Sequence, residues 1–71
     1  MRYESNVPSL ASVKGIANPN ILAEKMFRGV MSRDTVYKLW NAPETCKGLT
    51  LSKAAEIFGV KIDDLFYRVA E

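Results

Sequence analysis

The chain is cut into short pieces by its own helix breakers. Gly15-Ile16 has the form of a helix C-terminus, with glycine in the left-handed conformation and an apolar residue after it. Asn18-Pro19 is a helix start, because Asn can cap free amides and Pro fits the first turn. Gly29 and Gly59 are further stops, Ser32 and Thr50 are further candidate N-caps, and Pro43 disfavours helical geometry in the residue before it. Between these signals apolar residues recur at i, i+3 and i+4. Sustained period-two alternation and Asn-Gly or Asp-Gly hairpin turns are absent. These features predict one all-α domain: five short helices around one core, with no sheet.

Residues 1–7 read as an N-terminal arm. Pro8 opens the first helix, whose stripe is Leu10, Val13 and Ala17. The second carries Leu22, Ala23 and Met26, and the third runs from the Ser32 cap to Asn41-Ala42. Residues 43–49 form a loop. The fourth helix, capped by Thr50, presents Leu51, Ala54, Ala55 and Phe58. The last starts near Ile62, with Asp63 and Asp64 in its first turn and Arg68 in its last, each favourable to the helix dipole. The expected core is Val13, Leu22, Ala23, Met26, Val36, Leu39, Trp40, Leu51, Ala55, Phe58 and Leu65.

At 71 residues the chain is one domain, and its 48% apolar content allows only a small core. The net charge of +2 is unevenly spread. Residues 28–53 hold Arg28, Arg33, Lys38, Lys47 and Lys53 against Asp34 and Glu44, a balance of +3, whereas residues 54–71 balance at −2. That asymmetry suits a middle face toward phosphates and an acidic end turned away from them. Cys46 is the single cysteine and histidine is absent. An internal disulfide, an ordinary zinc site, and Ser-His or Cys-His nucleophilic pairs are therefore excluded. Asp63-Asp64 and Glu44 have no partners for acid-base chemistry, so neither an enzyme nor a cofactor is expected. The start lacks an apolar leader and no run reaches membrane-span length, so a soluble cytoplasmic protein is expected.

The segment 32–41 carries the functional signal. Val36, Leu39 and Trp40 share one side of a helix; Asp34, Tyr37, Lys38 and Asn41 share the other, with Arg33 at the tip. A helix buried by one face and offering hydrogen-bonding groups from the other can enter a DNA major groove. Arg33 can pair with guanine O6 and N7, worth about 1–3 kcal/mol of discrimination. Asp34 can accept from cytosine N4 or steer Arg33 and Lys38; Lys38 can contact phosphate or pair with Asp34 one turn back. Thr35 and Tyr37 can bond phosphate or touch a thymine methyl, although Tyr37 can equally lie on the second helix. Ser32 caps the helix at the same surface. Lys47 and Thr50 flank the following loop and suit phosphate, Thr50 also serving as a plain cap. Asn20 is a weaker phosphate candidate, and Cys46 reads as incidental.

The run Leu22-Ala23-Glu24-Lys25 followed by Ser32-Arg33-Asp34-Thr35-Val36-Tyr37-Lys38-Leu39-Trp40-Asn41 resembles the helix-turn-helix core of the Cro/C1-type (lambda-repressor-like) DNA-binding domains. The similarity continues through Leu51-Ser52-Lys53-Ala54-Ala55-Glu56-Ile57-Phe58-Gly59-Val60 and Asp63-Asp64-Leu65-Phe66. It covers about residues 8–69. It implies a compact five-helix bundle, with residues 8–71 as a helix-turn-helix domain behind the arm. The implied protein is a transcriptional regulator, a small phage-, plasmid- or host-encoded repressor that binds double-stranded DNA as a dimer in a bacterial or phage-infected cell. One departure stands out. Phe27, Arg28, Gly29, Val30 and Met31 separate Met26 from Ser32, about three residues more than the family's spacing, or about one helical turn. Either the second helix is longer or the turn is enlarged.

The last helix is also the expected dimer surface. Ile62, Phe66 and Val69 form one stripe at i+4 and i+3 spacing, and an exposed apolar stripe is usually a contact surface. The competing reading is a protein-interaction module, such as an antitoxin, an antirepressor or a regulatory subunit. Neither reading involves a small-molecule substrate or a membrane.

Overall fold

The computed structural model describes residues 2–69. Met1 of the expected arm, and Ala70 and Glu71 after the expected last helix, lie outside them. The elements are β1 (Arg2–Ser5), α1 (Val7–Val13), α2 (Pro19–Lys25), α3 (Arg33–Asn41), α4 (Gly48–Phe58) and β2 (Phe66–Val69). Single 3-10 turns at Pro43–Thr45 and Ile62–Asp64 precede α4 and β2. Among the described residues the protein is mostly helical, with four α-helices and a two-stranded sheet.

Most predicted starts and stops are present. Asn18 Oδ1 accepts from the Ile21 amide at 2.9 Å, with Pro19 opening α2. Ser32 Oγ accepts from the Thr35 amide at 3.2 Å. Gly15 and Gly59 both turn left-handed, at φ 78° and 72°. In each case the next residue's amide returns to the helix, Ile16 to the Ala11 carbonyl and Val60 to the Ala55 carbonyl, both at 2.9 Å. The Thr50 cap is corrected. α4 begins three residues earlier, with Lys47 at the cap position, so Thr50 lies inside the first turn.

The fifth helix is also corrected. Its start forms a single 3-10 turn, in which Asp64 accepts from the Lys61 amide at 3.2 Å. The chain then extends as Phe66-Tyr67-Arg68-Val69, where two aromatic residues and a β-branched one fit a pleated surface better than a helix. It pairs antiparallel with the expected arm, in the register Arg2↔Val69, Tyr3↔Arg68, Glu4↔Tyr67 and Ser5↔Phe66. Asn6 stitches this sheet to the 3-10 turn: its amide donates to the Leu65 carbonyl at 2.9 Å and its side chain to the Asp64 carbonyl at 2.8 Å.

The core is Val7, Ala11, Ile16, Leu22, Ala23, Phe27, Val36, Leu39, Ala54, Ala55, Phe58 and Leu65. Val13 does not belong to it. α1 buries Val7 and Ala11, and Val13 falls on the opposite side, 86% exposed. Met26, Trp40 and Leu51 pack on the core while remaining partly exposed. Phe27 is fully buried although it lies outside any helix. Its ring meets Phe58 edge-on, 5.7 Å between centroids. The extra residues between the second and third helices are thereby explained: α2 stops at Lys25, and the turn is enlarged around an anchored Phe27.

On the sheet's outer side, the Tyr67 hydroxyl donates to Glu4 Oε2 at 2.9 Å across the strands. This bond raises the Tyr67 pKa, with the negative charge of Glu4 adding to the effect. The bond needs the protonated phenol, so its contribution holds at neutral pH and is lost as pH rises through the raised pKa. In Glu4→Gln the Tyr67 ring, followed by NMR, should titrate at lower pH than in the parent. An unchanged Tyr67 titration would show that the pair does not form in solution.

Candidate functional site

α3 presents its groups in three sectors. Val36 and Leu39 are buried and Trp40 is half-buried, which sets the inner face. Asp34, Lys38 and Asn41, at i, i+4 and i+7, form the centre of the solvent face, and Tyr37 is exposed beside them. Arg33 and Thr35 occupy the two edges, since residues two apart on a helix are about 160° apart around its axis.

On the Thr35 edge, α3 and the start of α4 enclose a cleft of about 240 Å³ lined by Thr35, Lys38, Cys46, Lys47 and Thr50. The sharp corner at Ala42-Pro43 makes this possible. Pro43 is buried, and the 3-10 turn it opens carries the chain back so that Lys47 and Thr50 face Lys38. Two cations and two hydroxyl groups then face one opening, and the described carboxylates do not line it. Such a set suits an oxyanion, with ammonium groups for charge and hydroxyls for direction. Burial pushes the Cys46 thiol above its ordinary pKa, Lys38 opposing the shift and Glu44 adding to it. Cys46 therefore stays a neutral thiol at neutral pH and serves as cleft wall, not as nucleophile.

Of the other candidate residues, Ser32 borders this cleft through Thr35, and Arg33, Tyr37 and Asn20 stand apart from it. Ser32 and Thr35 share a hydroxyl contact of 2.8 Å at the helix cap. Arg33 leans toward α2, where its guanidinium lies 3.4 Å from Glu24, with both side chains more than half exposed. Tyr37 points outward, and its carbonyl accepts from Asn41 Nδ2 at 3.0 Å. Asn20 is half-buried in α2, with Oδ1 shut off from solvent and without a hydrogen-bond partner among the described residues. Arg33, Tyr37, Lys38 and Lys47 thus do not all meet at one point. Lys38 and Lys47 share a cleft with Thr35 and Thr50, Tyr37 lies on the open face, and Arg33 lies at the far edge.

Ile62, Phe66 and Val69 do not form a stripe. The i+3 and i+4 spacing needs a helix, and residues 66–69 are a strand. Side chains alternate along a strand, so Phe66 and Val69 project to opposite faces. Phe66 packs on the core and meets Tyr3 edge-on at 5.5 Å. Ile62 is on the preceding turn, 37% exposed.

Among the described residues no helix is long and apolar enough to cross a membrane. Comparison with family models, with curated proteins and with solved structures finds no match to this chain.

Proposed function

We propose that this protein is a sequence-specific DNA-binding regulator that lays the exposed face of α3 in the major groove. One observation carries the reading. Thr35, Lys38, Lys47 and Thr50 come from two helices and the loop between them, yet they line a single cationic cleft at the edge of an exposed polar helix. Phosphates border the major groove, so a helix lying in it has a phosphate strand along each edge. A cleft of this chemistry at the edge of α3 is placed to hold one such phosphate. The central residues Asp34 and Tyr37 then face base edges, while Lys38 turns to the phosphate.

The protein would act as a homodimer through its C-terminal strand. β1 lies beside α3 and the Pro43–Thr45 turn, which leaves the outer edge of β2 as a row of main-chain groups without a neighbouring strand among the described residues. Isolated two-stranded ribbons are marginal, and a second copy at that edge would extend the sheet to four strands. A two-fold pair would present two copies of α3 to major grooves about 34–36 Å apart.

The test is selection of duplex DNA from a random pool, followed by sedimentation of the saturated complex. Salt-sensitive binding of a preferred sequence by two copies is the expected result. No binding at low salt would end the DNA reading, and one copy per saturated site would end the dimer.

A further inference from the structure

A second cleft, of about 470 Å³, opens on the opposite edge of α3, between the end of α2 and the enlarged turn. Glu24, Arg28, Gly29, Met31 and Arg33 line it. We infer that this cleft takes a phosphate of the second DNA strand, held by Arg28 and Arg33, an inference that rests on α3 lying in the major groove.

The cleft lined by Thr35 and Lys38 occupies one edge of α3, and the cleft lined by Arg33 occupies the other. A helix in the major groove has a sugar-phosphate strand on each flank, so two cationic clefts on opposite edges match two strands, one each. The cationic groups of the second cleft are guanidinium, whose planar fork fits phosphate oxygens two at a time. Arg28 has no carboxylate partner among the described residues, although it is exposed beside one. Arg33 has five N–H donors, and its contact to Glu24 is a single long one of 3.4 Å between exposed groups. Such a contact is weak in water and readily exchanged for a phosphate.

The turn supplies the position. Phe27 is pinned in the core, and Gly29 turns left-handed at φ 77°, with open space where a side chain would stand. The extra residues therefore carry Arg28 outward beside α3 with no bulk at Gly29 to keep a strand away. Glu24 has the opposing role. It orients Arg33 in the free protein and repels phosphate in the complex. On this account Arg33 is a backbone-positioning residue and not the reader of a guanine.

The experiment measures affinity for duplex DNA across a range of salt with the full chain, its Arg28→Gln, Arg33→Gln, Glu24→Gln and Lys47→Gln variants, and circular dichroism on each as a check of folding. Each lost phosphate contact lowers the slope of log affinity against log salt by about 0.9. Arg28→Gln and Arg33→Gln should each show that loss, which shrinks the fall in affinity between about 50 and 200 mM salt by about three- to fourfold. Both should keep the parent's ranking of sequences, and Glu24→Gln should bind more tightly than the parent. If Lys47→Gln loses slope while Arg28→Gln keeps the parent's, the second cleft is not a phosphate site and the DNA reading stands. If Arg33→Gln instead loses preference at one base pair, Arg33 reads a base and the clamp is wrong. If the parent itself binds no DNA in a salt-dependent way, the DNA reading fails and this inference goes with it.

Discussion

Phe27→Ala should remove about 3–5 kcal/mol of stability, the range for truncating a buried aromatic ring. For a domain this small that approaches the whole margin between folded and unfolded states. The ring is fully buried and meets Phe58 edge-on, and its main chain anchors the turn. The Phe27 amide donates to the Leu22 carbonyl at 3.2 Å, and the Phe27 carbonyl accepts from Val30 at 2.9 Å and Met31 at 3.3 Å. Truncation therefore opens a cavity between α2 and α4 and loosens the segment that positions the N-terminus of α3. Trp40→Ala should cost less, because Trp40 is only partly buried. Urea unfolding of both variants decides the order. A Phe27→Ala midpoint equal to the parent's, or a Trp40→Ala loss exceeding that of Phe27→Ala, would contradict this account of the core.

The same residue shows what a sequence of this kind reveals. Caps and stops were legible because their causes are local: Asn18 bonds a backbone amide three residues on, and Gly15 and Gly59 provide the left-handed turn their helices need. The inner face of α3 was legible for the same reason, as a three- and four-residue spacing. Phe27 was not, because a residue in a turn has no periodicity to reveal which way it points. Nor was the sheet. Tyr67 and Glu4 are 63 residues apart, and each four-residue strand is too short to show alternation above the helical pattern around it. The aspartates at 63 and 64 truly open a turn, but long-range pairing with β1 takes the chain before a helix can propagate.

The candidate site divides in the same way. Lys38, Lys47, Thr35 and Thr50 could be nominated because they lie within a short stretch around one corner. That they share a cleft depends on the angle of that corner, which the buried Pro43 sets. Glu24 and Arg28 carry no site signal in the sequence, because their relation to Arg33 crosses the enlarged turn. The excess length of that turn was the visible clue, and its meaning depends on α2 stopping at Lys25.

The largest functional effect should come from Lys38→Gln combined with Lys47→Gln. Both side chains line the cleft between α3 and α4 and both are exposed, so neutralising them leaves the core intact. If each ammonium group displaces one counterion from DNA, the slope of log affinity against log salt should fall by about 1.8. The affinity lost between about 50 and 200 mM salt would then shrink by about tenfold, and binding at low salt should weaken for all sequences alike. Thr50→Val in the same background tests direction as opposed to charge. It removes a hydroxyl at nearly constant shape, so it should weaken binding further while leaving the slope where the double variant puts it. A double variant that is folded and keeps both the parent's slope and its affinity would show that DNA does not enter this cleft. The convergence of Lys38 and Lys47 would then be a solvated surface, and an interaction with protein would become the better account of the exposed face of α3.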